Sequence, residues 1–268
     1  MPLYVLATPI GNLGDLSPRA REVLAHAELV LSEDTRVTRR LLSALGLRTP
    51  ELWRCDAQRE RDCISGVIGR LEKGADIVLV SDAGTPALSD PGTAVVAAAH
   101  AAGHPVSAVP GPSAISAAVS VSGLPGTPFH FLGFPPRKKG ALVRWLQDAS
   151  RLPGTLVCFE AGRRLGGLFQ VLSEHMGDRQ VTICRELTKL HEEVTACSTS
   201  QLSGDPVPGE VVVVVGPGEP ILTAATPVEM EGLKDLARVV SSRTGCTRSE
   251  AYRELVAMEE RLSSSGED

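Results

Sequence analysis

Three times in the first 113 residues, a run of four or five residues, apolar but for Ser107, gives way at once to a loop dense in glycine and proline. Leu3–Ala7 runs into Thr8-Pro9-Ile10-Gly11-Asn12, Ile77–Val80 into Ser81-Asp82-Ala83-Gly84-Thr85-Pro86, and Val106–Val109 into Pro110-Gly111-Pro112-Ser113. Short, continuous apolar runs suit strands of a parallel sheet covered on both faces. Helical signals separate them. Ser17-Pro18 reads as an N-cap with proline at the first helical position. Ile64, Val67, Ile68 and Leu71 share one helix face, and Gly74 is placed to end that helix. A further strand is expected at Leu29–Leu31, followed by Ser32–Arg36 as a polar loop. Asp90-Pro91 is placed to cap an alanine-rich helix ending at Gly103, and another helix should run from Ala114 to Val121. The repeated order of strand, loop and helix predicts a parallel α/β domain over residues 1–122.

Ser122–Pro128 reads as a linker into a second, smaller α/β domain of mixed strands over residues 123–220. Its strands are expected near Thr155–Phe159, Val181–Arg185, Val194–Cys197 and Glu210–Val215, with a helix from Arg163 to Met176. Residues 221–268 read as a helical tail with a turn at Gly245 and a frayed end from Ser263 to Asp268. Thr247-Arg248-Ser249-Glu250 has capping-box form, with a helix through Leu255 after it. Arg248, Arg253 and Arg261 on that helix are offset by Glu250, Glu254, Glu259 and Glu260, which favours packing or docking over direct reading of RNA.

Hydrophobic residues make up 43% of the 268, enough for a sizeable core. Aromatics are only 3%, so Val, Leu, Ile and Ala must build it. No apolar run approaches the roughly 20 residues that span a bilayer, and Met1–Ile10 lacks the basic start of a signal peptide. None of the six cysteines forms a C-x-x-C pair, so neither a structural zinc nor any other metal is expected. Cys158 and Cys184 sit in apolar runs, a usage that fits a reducing cytoplasm. The formal net charge of −5 argues against gripping nucleic acid by overall charge, so any such binding must rest on a local basic patch.

Ligands of open α/β sheets bind beyond the carboxyl ends of the strands, where all three Gly/Pro loops should lie. Neither a G-x-G-x-x-G fingerprint nor a G-x-x-x-x-G-K-[ST] loop is present. Asp82 and Asp90 would suit a cationic or hydroxyl-bearing ligand, although Asp90 before proline serves equally well as a helix cap.

Eight motifs occur in order: Thr8–Asp15 (TPIGNLGD), Glu33–Arg36 (EDTR), Ser81–Pro86 (SDAGTP), Asp90–Gly92 (DPG), Pro110–Ala114 (PGPSA), Ser122–Pro125 (SGLP), Gly133-Phe134 with Pro136-Arg137-Lys138, and Arg185–Lys189 (RELTK). Together they resemble the tetrapyrrole methylase superfamily, in particular its members that methylate a cytidine ribose 2′-hydroxyl in 16S rRNA. The resemblance runs from Leu3 to about Gly216. It implies two α/β domains with S-adenosylmethionine in the cleft between them, a homodimer, and action on a decoding-centre cytidine within the assembled small ribosomal subunit. The family commonly reads Glu-Ala/Ser-Pro-His-Arg where this chain has Glu160-Ala161-Gly162-Arg163-Arg164, so no role for that histidine carries over.

On this resemblance the cofactor is expected at Pro9, Ile10, Gly11, Asp82, Gly84, Thr85, Leu88, Ser113 and Ala114, with Leu187 from the second domain. Glu186 and Lys189 are the catalytic candidates, as proton acceptor and as stabiliser of the developing alkoxide or of a phosphate, with Glu160 as a second candidate base. A plain surface ion pair is the alternative for Glu186 and Lys189. RNA contacts are expected from Arg137, Lys138 and Lys139, extended by Arg163 and Arg164 and by Arg36, Arg39 and Arg40 on one cleft face. Two other functions stay open. One is a methylase of a corrin or porphyrin precursor, against which the first loop argues by lacking a G-x-G-x-G-D form. The other is a non-catalytic ribosome-assembly module.

Overall fold

The computed structural model describes residues 2–202, 205, 207–218, 233–244 and 247–264. The first sheet contains β1 (Leu3–Leu6), β2 (Leu29–Ser32), β3 (Glu51–Arg54), β4 (Ile77–Val80) and β5 (Val106–Val109). All its pairings are parallel, in the order β3-β2-β4-β1-β5. Strand alternation sends Leu3, Leu29, Leu31, Ile77 and Leu79 to one face and Leu6, Val30, Val78 and Val80 to the other. Helices α1 (Pro18–His26) and α2 (Thr35–Ala44) cover the second of these faces, α3 (Glu60–Leu71) and α4 (Thr93–Ala101) the first. The chain leaves β1 toward β2 and leaves β4 in the opposite direction toward β5. The carboxyl ends of β1 and β4 therefore flank a topological switch point, where such sheets hold ligands.

Helix α5 (Ala114–Val121) follows the first sheet in the chain, but its buried Ile115 and Ala118 pack on the second. That sheet comprises β6 (Phe129–Phe131), β7 (Thr155–Ala161), β8 (Gln180–Arg185), β9 (Glu193–Ser198) and β10 (Glu210–Val215). Its order is β6-β7-β10-β8-β9, with only the β6–β7 pair parallel. Helices α6 (Lys139–Ala149) and α7 (Leu165–His175) cover the face opposite α5. The run of five valines in β10 is buried throughout because both faces of its strand are covered. Thr155 and Thr182 donate to the carbonyls of Pro125 (2.6 Å) and Ser122 (2.9 Å), which pins the linker to this sheet. Met1–Gly218 form one compact unit holding both sheets, and Glu219–Asp268 a second. In the latter, α8 (Leu233–Thr244) precedes α9 (Arg248–Ser264), where the Thr247 N–H bonds the Glu250 carboxylate at 2.9 Å and the Glu250 N–H bonds the Thr247 hydroxyl at 3.3 Å. Gly245 and residues 265–268 lie outside the described residues, and so does Cys246.

Two expectations change. The polar loop expected over Ser32–Arg36 is in part helix: Asp34 is the N-cap of α2, its carboxylate accepting from the Arg36 N–H at 2.8 Å. Asp90 does not cap α4. Gly92, at φ +131°, takes the N-cap position, and Glu60 on α3 supplies the acceptor. One Glu60 oxygen receives the N–H groups of Gly92 (3.0 Å), Ala94 (2.5 Å) and Val95 (3.3 Å). A carboxylate there satisfies donors that the helix cannot satisfy itself and lies at the positive end of its dipole. Loss of such a cap costs about 1–2 kcal/mol. Glu60→Ala should therefore lower the thermal midpoint by about 2–4 °C per kcal/mol lost, read by circular dichroism, with the fold retained.

Candidate active site

The loops after β1 and β4 meet at the switch point. Thr8 and Gly84 exchange two backbone hydrogen bonds, of 2.9 and 3.0 Å, and the Thr8 hydroxyl donates to the Ser81 carbonyl at 3.2 Å. The Ser81 hydroxyl in turn donates to the Gly84 carbonyl at 3.1 Å. Gly84 adopts φ +77°, a conformation glycine takes without strain, and a Cβ there would press on the Ile10 side chain at 3.3 Å. The third loop joins through Thr85, whose hydroxyl donates to the Pro112 carbonyl at 3.3 Å. All three Gly/Pro loops are thus fastened to one another.

Across from them lies the loop after β8. A Cβ on Gly11 would collide with the Lys189 side chain and with the Thr188 hydroxyl at 2.8 Å, so only glycine lets the β1 loop approach this closely. Between the two sets of loops is a cavity of about 330 Å³. Of the expected cofactor residues, Ile10, Asp82, Gly84, Thr85, Leu88, Ser113, Ala114 and Leu187 line it. Pro9 and Gly11 do not; they border an adjoining cleft that shares Ile10, Asp82 and Ala83 with the cavity. The candidates Glu160, Glu186 and Lys189 all reach the cavity wall.

The four non-glycine residues with positive φ among those described are Ala87 (64°), Ser89 (69°), Glu186 (50°) and Thr188 (65°). They fall in two loops, one on each side of the cavity, and each pair brackets a leucine that lines it: Leu88 and Leu187. Side chains adopt this region at a cost, and such strain collects at working sites.

Glu186 receives the Lys189 ammonium and the Glu210 N–H, each at 3.1 Å. These contacts, the backbone donor foremost, hold its carboxyl below the usual range. Glu160 is 3% exposed, and one of its oxygens accepts from the Ala161 N–H at 2.8 Å and pairs with Arg164 at 3.2 Å. Arg164 also donates to the Pro135 carbonyl at 3.1 Å, so it is engaged within the protein. Arg36 pairs with Asp34, while Arg40, on the same helix, borders the adjoining cleft. Arg39, Arg137, Lys138, Lys139 and Arg163 are exposed, and none of the expected RNA residues lines the cavity itself.

Of the two roles the sequence offered for Asp90, the ligand-facing one is the one seen: it lines the cavity beside Asp82. Phe134 and Phe159, not expected there from the sequence, line it as well. Burial, then the nearby carboxylates of Glu33 and Asp82, push the Asp90 carboxyl up from 3.8 to about 6. Glu33 and Asp82 are raised as well, burial again leading. A concentration of partly buried carboxylates is unfavourable when empty and favourable toward a cation or a donor-rich ligand. Because the folded Asp90 holds its proton more tightly than the unfolded chain does, its contribution to stability falls as pH rises from about 3.8 to about 6. Asp90→Asn should accordingly raise the thermal midpoint at pH 7–8, with the gain vanishing near pH 4; a gain independent of pH would contradict this environment.

A family model described as "Tetrapyrrole (Corrin/Porphyrin) Methylases" matches residues 2–203. A Xylella fastidiosa protein called ribosomal RNA small subunit methyltransferase I is 44% identical over 220 residues, covering 80% of each chain. One of the same name from Mesorhizobium japonicum is 38% identical over 277 residues, covering 96% of this chain and 92% of its own. Among solved structures, the methyltransferase CobJ aligns with a TM-score of 0.60 at 20% identity, over 81% of this chain and 95% of its own. Uroporphyrin-III-C-methyltransferase from Thermus thermophilus aligns with a TM-score of 0.55 at 24% identity, over 80% and 94%. At those identities the structural matches speak for the fold. The two-sheet architecture, the matched model and the relatives agree: this chain belongs to the tetrapyrrole methylase family.

Proposed function

We propose that this chain transfers a methyl group from S-adenosylmethionine to the ribose 2′-hydroxyl of a cytidine in the decoding centre of 16S rRNA, acting as a cytoplasmic homodimer on the assembled small subunit. One observation carries the reading. The Gly/Pro loops of the first sheet and the Glu186–Lys189 pair of the second face a single cavity, in a chain whose relatives of 38–44% identity are called ribosomal RNA small subunit methyltransferase I. Action on a structured particle also suits a chain of net charge −5, since docking there uses shape and a local patch.

The residues present fit the cofactor. Asp82 and Asp90 offer carboxylates to a ligand bearing a sulfonium and an ammonium, and Leu88 and Leu187 offer apolar walls that keep water away. When bound, S-adenosylmethionine supplies an electrophilic methyl carbon. The chain's own residues must hold the nucleophilic oxygen about 3–3.5 Å from it and in line. Lys189 is suited to stabilise that oxygen as it loses its proton. Glu186 anchors the ammonium at 3.1 Å, and its lowered carboxyl pKa makes it a weak proton acceptor while that contact holds. Glu160 is tied to Arg164 and thereby fastens the loop at Pro135. The domain division we favour keeps the two sheets as cofactor-binding halves and assigns the helical tail to docking.

Labelled S-adenosylmethionine incubated with small subunits lacking their native modification should leave label on the 2′-oxygen of a decoding-centre cytidine, located by nuclease mapping. Cofactor binding without label on subunits or free rRNA would overturn the substrate assignment. Lys189→Met should lower kcat by about 100-fold or more, while calorimetry shows cofactor affinity unchanged. Unchanged turnover would remove Lys189 from the chemistry.

A further inference from the structure

Phe134 is 60% exposed although it belongs to a chain with few aromatic residues, and it lines the mouth of the cavity. An exposed ring usually sits on a loose loop. This one does not. The Gly133 carbonyl accepts from the Phe159 N–H at 3.0 Å, and the Pro135 carbonyl accepts from Arg164 at 3.1 Å, so the chain is fastened on both sides of the ring. Pro135 and Pro136 stiffen the exit. Beneath the ring, Phe159 packs at 5.4 Å between centroids with planes tilted by 58°, and Phe131 packs on Phe159 at 4.9 Å. The result is an anchored edge-to-face aromatic cluster whose outermost ring stays largely exposed.

The next residues are Arg137, Lys138 and Lys139, all exposed and without a salt bridge among the described residues. Lys138 and Lys139 stand at the N-terminus of α6, where positive charge opposes the helix dipole, so helix stability does not account for them. The inner wall carries the opposite sign, with Asp82 and Asp90. A phosphate is attracted to the cations that follow Phe134 and repelled by the carboxylates inside, whereas a base and its ribose meet an aromatic ring and hydrogen-bond acceptors. Aromatic platforms beside cationic grooves are how proteins hold unpaired nucleotides.

We propose that Phe134 is the platform on which the target base stacks, with Arg137, Lys138 and Lys139 holding the adjoining phosphates outside, so that only base and ribose enter the cavity. The proposal rests on the RNA-methylating reading above and adds a substrate-positioning residue to it.

Two measurements test it. In methyl transfer to unmodified small subunits, Phe134→Ala and Phe134→Leu should lower kcat/KM by about 10- to 100-fold, with cofactor affinity unchanged, while Phe134→Trp keeps most of the activity. In the second, pentacytidylate should quench the added tryptophan fluorescence of Phe134→Trp, and an abasic ribose-phosphate pentamer should not. Leucine performing as well as phenylalanine, or no difference between the two pentamers, overturns stacking. Selective quenching with a wild-type protein that methylates no subunit would sustain the platform and remove the rRNA reading instead. Absence of both signals would remove both.

Discussion

Helix α5 belongs to one sheet by chain order and to the other by packing, and the cavity depends on that double membership. The Pro110–Ser113 loop delivers the helix from the end of β5, and Ile115 and Ala118 then bury themselves against Val157, Val212 and Val214. Burial of a side chain such as Ile115 is worth about 1.5–3 kcal/mol. That packing fixes the second sheet relative to the loops of the first. The close approach of Gly11 to Leu187–Lys189 is possible only once this has happened. Ser113 and Ala114, at the start of the same helix, form part of the cavity wall, so the element that joins the halves also shapes what lies between them.

The first sheet was legible wherever an apolar run met a strong breaker. β4, β5 and the start of α1 fall where those signals place them; for β4, buried throughout, the reason is that a parallel strand covered on both faces must be apolar on both. Strand β3 was not legible: Glu51–Arg54 reads ELWR, which is neither apolar nor alternating, and it forms an edge. Helix α6 was hidden by the cations at its start, although Leu142, Leu146 and Ala149 recur at helical spacing behind them. β6, three residues long, gives too little pattern to read.

Within the site, the loops were legible and the role of one carboxylate was only half so. Asp90 precedes a proline at the head of a helix, where local rules fit capping as well as a place facing a ligand. The competing cap comes from Glu60, 30 positions earlier, and nothing local in the sequence announces it. Phe134 could be seen as a neighbour of basic residues, but its anchoring depends on Phe159, contributed by another strand. The Arg164–Glu160 pair likewise requires the turn after β7 to fold first, which is why a residue that reads as a surface cation is an internal fastening.

The paired left-handed residues around Leu88 and Leu187 have a consequence for how the molecule breathes. Each such residue holds about 1–3 kcal/mol above a relaxed backbone, and four of them are divided between two loops that face each other. The surrounding hydrogen bonds must exceed that tension to keep the loops shut. These loops therefore open more readily than the strands that carry them. Amides of Ala87–Ser89 and Glu186–Thr188 would exchange with solvent as two independent patches, each slowed by whatever fills the space between them.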